Sequence, residues 1–158
     1  MNSLKIIVLS VGRVRQAFIK DGEADYLKRL KAGFQVELQE LGLECPESMP
    51  ANEVQEREGT EVLKRFKDGD YIVVLDERGT ALSSLAFSSL CSTRMNAGTK
   101  SMYFVIGGAY GFSEKVRQRA NYILSLSALT FPHQLTRLIL LEQIYRAYTI
   151  SQGIRYHK

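Results

Sequence analysis

The feature that most constrains this chain is a set of short apolar runs, unbroken by alternation, each ending in a glycine or polar turn. Residues 4–11 stop at Gly12, residues 71–75 at Asp76-Glu77-Arg78-Gly79, and residues 101–106 at Gly107-Gly108. Runs of strand length with both parities apolar belong to strands covered on both faces, as in parallel sheets flanked by helices. Residues 34–41 behave differently, alternating apolar and polar with period two, and so predict a half-exposed strand nearer an edge. Residues 122–127 supply the last strand.

Helical patterns fill the gaps. From Val14 to about Lys31 the residues Val14, Phe18, Tyr26, Leu27 and Leu30 recur at helical spacing, with Gly22 a weak point and Gly33 a stop. Residues 51–67 place Val54, Val62, Leu63 and Phe66 on one side and Glu53, Glu56, Arg57, Glu58, Glu61 and Lys64 on a face read as solvated. Helices are also predicted over about 83–96, over 113–120 with Ser113 at the N-cap, and over 132–151 behind Pro132. Strand and helix thus alternate five times, which predicts an α/β class with an open, mainly parallel sheet and helices on both faces. Without repeats or linkers, residues 1–158 are expected to form a single domain.

Apolar residues make up 45% and charged residues 24%, which excludes wholesale disorder. No stretch reaches the roughly eighteen apolar residues of a membrane span, and the N-terminal run lacks the basic start of a signal peptide, so a cytoplasmic protein is expected. Cys45 and Cys91 are far apart, suggesting neither a disulfide framework nor a metal site. A net charge of +4 permits an RNA partner without requiring one.

The usual dinucleotide fingerprint is missing after the first strand, where only Gly12 and Arg13 stand. Gly107-Gly108-x-x-Gly111 follows a strand and precedes a helix, yet three glycines at a turn are more often structural than phosphate-binding, and no Gly-Lys-Ser or Gly-Lys-Thr completes a P-loop. A second turn, Leu126-Ser127-Ala128-Leu129-Thr130, adds main-chain groups beside small side chains, where the edge of a ring such as adenine can be read. Asp76 either contacts a ligand or caps its own turn.

Four blocks carry a resemblance. These are residues 105–111, residues 126–137 (Leu-Ser-Ala-Leu-Thr-Phe-Pro-His-Gln-Leu-Thr-Arg), residues 142–147 (Glu-Gln-Ile-Tyr-Arg-Ala), and Tyr156-His157. In order and spacing they resemble the RlmH family, bacterial SPOUT-class methyltransferases acting on a pseudouridine of large-subunit (23S) ribosomal RNA. The resemblance extends to the N-terminal strand and to Leu75-Asp76-x-x-Gly79.

It implies a C-terminal deep trefoil knot, a homodimer, and S-adenosylmethionine held in the knot by Leu75, Gly107, Leu126, Ser127, Ala128, Leu129, Thr130 and Phe131. It also implies methyl transfer to pseudouridine N3 on assembled ribosomes. The N3 proton must leave, and His133, His157 or Glu142 is the candidate acceptor. Arg137 is a candidate for orienting the base or meeting phosphate, with a structural salt bridge as its competitor; Arg146, Arg155 and Tyr156 are candidate RNA contacts. The apolar residues of the last helix exceed one face, in keeping with a dimer. The rival reading is a non-enzymatic ribosome- or RNA-binding module that keeps this fold, distinguishable by calorimetry with S-adenosylmethionine.

Overall fold

In the computed structural model, which describes residues 4–156, five strands alternate with five helices. Strands β1 (Lys5–Val11), β2 (Gln35–Leu41), β3 (Tyr71–Ala81), β4 (Ser101–Ile106) and β5 (Tyr122–Ser125) form one sheet in the order β2-β1-β4-β3-β5. All pairings are parallel. The helices are α1 (Ala17–Leu30), α2 (Ala51–Leu63), α3 (Ser84–Asn96), α4 (Glu114–Arg119) and α5 (His133–Ser151).

The missing alternation in the strands has a direct cause, because both sheet faces are buried. Ile6, Val8, Phe104 and Ile106 belong to a core shared with Leu30 of α1, Phe87 and Cys91 of α3, and Leu140, Leu141 and Ile144 of α5. Ile7, Leu9, Val74 and Val105 belong to a second core, closed by Val62 of α2 and Val116 of α4. β2 lies at the edge and stays half-exposed along most of its length, as its period-two pattern predicts.

Ser83 and Ser113 act as N-caps, accepting hydrogen bonds from the Ala86 and Val116 amides at 3.0 and 3.4 Å. Several details differ from expectation, among them the start of α1, at Ala17, and the end of β5, at Ser125. β3 continues past Leu75 to Ala81 because Thr80 and Ala81 rejoin β5 after an irregularity. There Gly79 is a close-approach residue, since a Cβ on it would lie 2.6 Å from the Ile123 carbonyl oxygen. α2 stops at Leu63, after which Asp70 turns the chain by accepting from the Lys67 amide at 2.8 Å. In α1 Ile19 is buried, as are Glu23 and Leu30, while Phe18 is 64% exposed.

α5 runs between α1 and α3, which explains much of its excess apolar surface. Gly22 costs α1 about 1 kcal/mol of helix propensity. A Cβ there would lie 2.9 Å from a Leu138 methyl, so the glycine lets the two helices close. Tyr145 meets Tyr26 in a tilted pair and Tyr148 meets Phe34 edge-on, with centroids 6.1 and 5.7 Å apart. Leu135, Leu138, Ile139 and Ile150 remain half-exposed. No helix among the described residues is long and apolar enough to cross a membrane.

Candidate functional site

The carboxyl ends of β3, β4 and β5 open into one cleft of about 370 Å³, within the range of small-molecule sites. Open α/β sheets place ligands at this end of their strands. Its walls are residues 75–78 at the irregularity within β3, residues 106–112 at and beyond the end of β4, and residues 126, 127 and 129–131 after β5, with His133 and Thr136 from the first turns of α5.

Each turn is held from within. Ser125 Oγ donates to the Ser127 carbonyl and Ser127 Oγ accepts from the Leu129 amide, both at 3.0 Å, so the hydroxyl residues of this loop fold it on itself. The Leu129 side chain is left 72% exposed on the cleft wall. In the glycine turn, Gly111 has φ +76°, a left-handed conformation that favours glycine. A Cβ on Gly107 would press on the Phe112 ring at 3.0 Å.

Asp76 caps its turn by accepting from the Arg78 amide at 2.9 Å, and it also lines the cleft. Its carboxylate also pairs with the Arg117 guanidinium, which arrives from α4. Burial opposes the Asp76 charge, but the Arg78 side-chain and backbone hydrogen bonds and the Arg117 guanidinium outweigh it and hold the carboxyl at about 2. Asp76 is therefore a neutralised wall of the cleft.

Residues 4–157 match the family described as "Predicted SPOUT methyltransferase". The Ribosomal RNA large subunit methyltransferase H of Streptococcus mutans is 40% identical, covering 98% of this chain and 100% of that protein. The protein of the same name from Desulfitobacterium hafniense is 43% identical, covering 98% of this chain and 99% of its own length. This chain is a SPOUT methyltransferase family member. A probable methylase family protein from Haemophilus influenzae shares its fold, with a TM-score of 0.51 at 13% identity, covering 100% of this chain and 72% of that one.

Of the cofactor contacts expected for this SPOUT chain, Leu75, Gly107, Leu126, Ser127, Leu129, Thr130 and Phe131 line the cleft, and Ala128 stands exposed in the same loop. His133 lines it too, whereas His157 lies outside the described residues. Two of the candidate residues stand away from the cleft within one chain. Arg137 does not reach the cleft; it is 5% exposed, and its guanidinium donates to Glu23, to Glu40 at 2.8 Å and to Ser10 Oγ at 3.1 Å. The salt bridge is what its position supports. Glu142 does not line the cleft either, since its carboxylate accepts from Gln143, Arg146 and the Tyr156 hydroxyl.

Tyr156 packs its ring edge-on against Tyr145 at 4.9 Å, with the Arg146 guanidinium over it at 5.0 Å. Burial, then hydrogen bonding to Tyr26 and Glu142, pushes its hydroxyl up to about 12. Arg155 is exposed beside it. Sequence reasoning missed Phe112 and Thr136, which line the cleft, and Arg117, which comes from α4 to pair with Asp76 on its wall; no local pattern signals these long-range approaches.

Proposed function

We propose that this chain is an S-adenosylmethionine-dependent methyltransferase of large-subunit ribosomal RNA that methylates N3 of a pseudouridine. One observation carries the reading: main chain from three neighbouring turns walls a single cleft, in a chain alike along its whole length to proteins named for rRNA methylation. The cleft suits the donor. Leu129 and Tyr110 offer apolar surface to a flat heteroaromatic ring, and residues 126–131 offer main-chain groups to its edge.

When bound, S-adenosylmethionine supplies a methyl group on a sulfonium centre. Leu75, Gly107 and residues 126–131 would hold it, and the chain's main contribution is alignment. Fixing two reactants in attack geometry is worth about 7–11 kcal/mol of barrier. His133, exposed on the cleft wall, is the side chain placed to take the N3 proton.

The reading includes a homodimer, whose contact would cover the half-exposed Leu135, Leu138, Ile139 and Ile150 of α5. Within one chain Glu142, Arg146 and Tyr156 hold the tail against α5 and none lines its cleft. In the proposal these groups, with Arg155, meet the RNA at the partner's cleft. The reading further takes residues 1–158 as one knotted unit working in the cytoplasm. A net charge of +4 is low for gripping free RNA, so the substrate is the assembled ribosome, read by shape.

The test is transfer of labelled methyl to ribosomes from a strain lacking the modification, with mass analysis of the released nucleosides. Label on pseudouridine of the large-subunit RNA is expected. Label on another nucleoside, or efficient labelling of a naked hairpin at physiological salt, would overturn the proposal.

A further inference from the structure

Among the described residues, two buried side-chain polar atoms lack a hydrogen-bond partner, Glu58 Oε1 and Arg94 Nε. Arg94 has the face of Tyr71 at 4.6 Å. Glu58 has no ion pair or hydrogen bond on either oxygen, and burial raises its carboxyl above the ordinary value. Glu58 is half-buried, with Oε1 shut away from solvent, so its carboxylate carries a desolvation cost that no partner offsets. Its sequence context, among Glu53, Glu56, Arg57 and Glu61, suggests a solvated face, but the structure turns Glu58 inward from α2 towards the glycine turn.

The space it enters is small and otherwise non-titratable, bounded by Val11, Val62, Gly107, Gly108, Phe112 and Ser113 among others. A Cβ on Gly108 would lie 2.6 Å from Glu58 Oε2, so the carboxylate rests directly on that residue's main chain. Gly108 also lines the cleft. Only one residue without a side chain therefore stands between the unpaired charge and the ligand space. One turn earlier on α2, Gln55 Nε2 donates to the Tyr110 carbonyl and fixes the helix against the same turn.

Of the other carboxylates at the cleft, Asp76 is neutralised by arginines and Glu77 is exposed to water close to Arg78, whereas Glu58 is left without a cation. We infer that Glu58 is a specificity-determining residue, presenting negative charge through Gly108 to favour a cationic sulfonium occupant over its uncharged thioether product. The inference rests on the donor reading above. S-adenosylmethionine carries one more positive charge than S-adenosylhomocysteine and is otherwise nearly the same size. A charge behind the turn separates the two where shape cannot, and helps release product after transfer.

The test is calorimetric binding of S-adenosylmethionine and S-adenosylhomocysteine to the full-length protein, alongside thermal melting, for wild type, Glu58→Gln and Glu58→Met. Both variants should lose the preference for the sulfonium by about fivefold, the order expected for unit charges across a protein interior. Affinity for S-adenosylhomocysteine should hold, and the melting temperature should stay or rise. An unchanged ratio in both variants, or equal weakening of both ligands with a lower melting temperature, would overturn the inference and leave Glu58 a brace for the turn. Wild type binding neither ligand would instead defeat the donor reading itself.

Discussion

Replacing Arg137 by alanine should destabilise the protein by about 3–5 kcal/mol, the usual cost of stranding a buried carboxylate whose partner is removed. Glu23 is only 3% exposed and takes two guanidinium nitrogens of Arg137, so the variant leaves its charge without water or cation. Glu40 suffers less, because it is exposed and also accepts from the Val14 amide at 3.2 Å. For a domain of this size the loss corresponds to a drop of on the order of 12 °C in melting temperature. The double variant Glu23→Leu/Arg137→Met, which removes both charges and keeps volume, should recover most of it. Thermal and urea melts of the three proteins decide the matter, with donor affinity measured where all are folded. A single variant that melts like wild type but loses RNA or donor binding would refute the structural role and return Arg137 to the substrate.

Asp76 should make the fold acid-sensitive in a defined window. Its folded carboxyl, near 2, lies below its ordinary 3.8, so its stabilisation is complete above about pH 4 and disappears as pH falls towards 2. The loss is roughly 1–2 kcal/mol after allowing for the solvent-exposed Arg78 partner; Asp76→Asn should flatten urea midpoints across that window, and an undiminished slope would count against the pairing. Cys91, which burial pushes up to about 12, should resist thiol reagents at pH 8 until the protein unfolds while the half-buried Cys45 reacts. Rapid labelling of both would contradict that burial. Gly79→Ala should cost about 1–3 kcal/mol through its clash with the Ile123 carbonyl and weaken donor binding by displacing residues 75–78. Gly69→Ala, with open space around it, is the neutral control.

What was legible in the sequence is what local chemistry dictates. Apolar runs with no alternation announced strands between two helical layers, the alternating run at residues 34–41 announced the edge, and Ser113 announced its own cap. The cleft was legible because the turns after three of the strands combine glycines with small and hydroxyl residues. What was illegible depends on long-range partners. Arg137 on α5 looks the same whether it meets phosphate or Glu23, 114 positions away. The second half of β3 reads as a turn because its strand character comes from pairing with β5. Glu58 sits among charges that do face water, and only the packing of α2 on the glycine turn distinguishes it.

The most direct measurement on the central claim is a titration of isotopically labelled protein with S-adenosylhomocysteine, following backbone amide resonances. If the irregular segment of β3 and the turns after β4 and β5 grip the donor, the amides of Leu75, Gly107 and residues 126–131 should move together with a single saturation curve, while those of β2 stay in place. Saturable binding that shifts other amides and leaves these three turns unmoved would contradict the account.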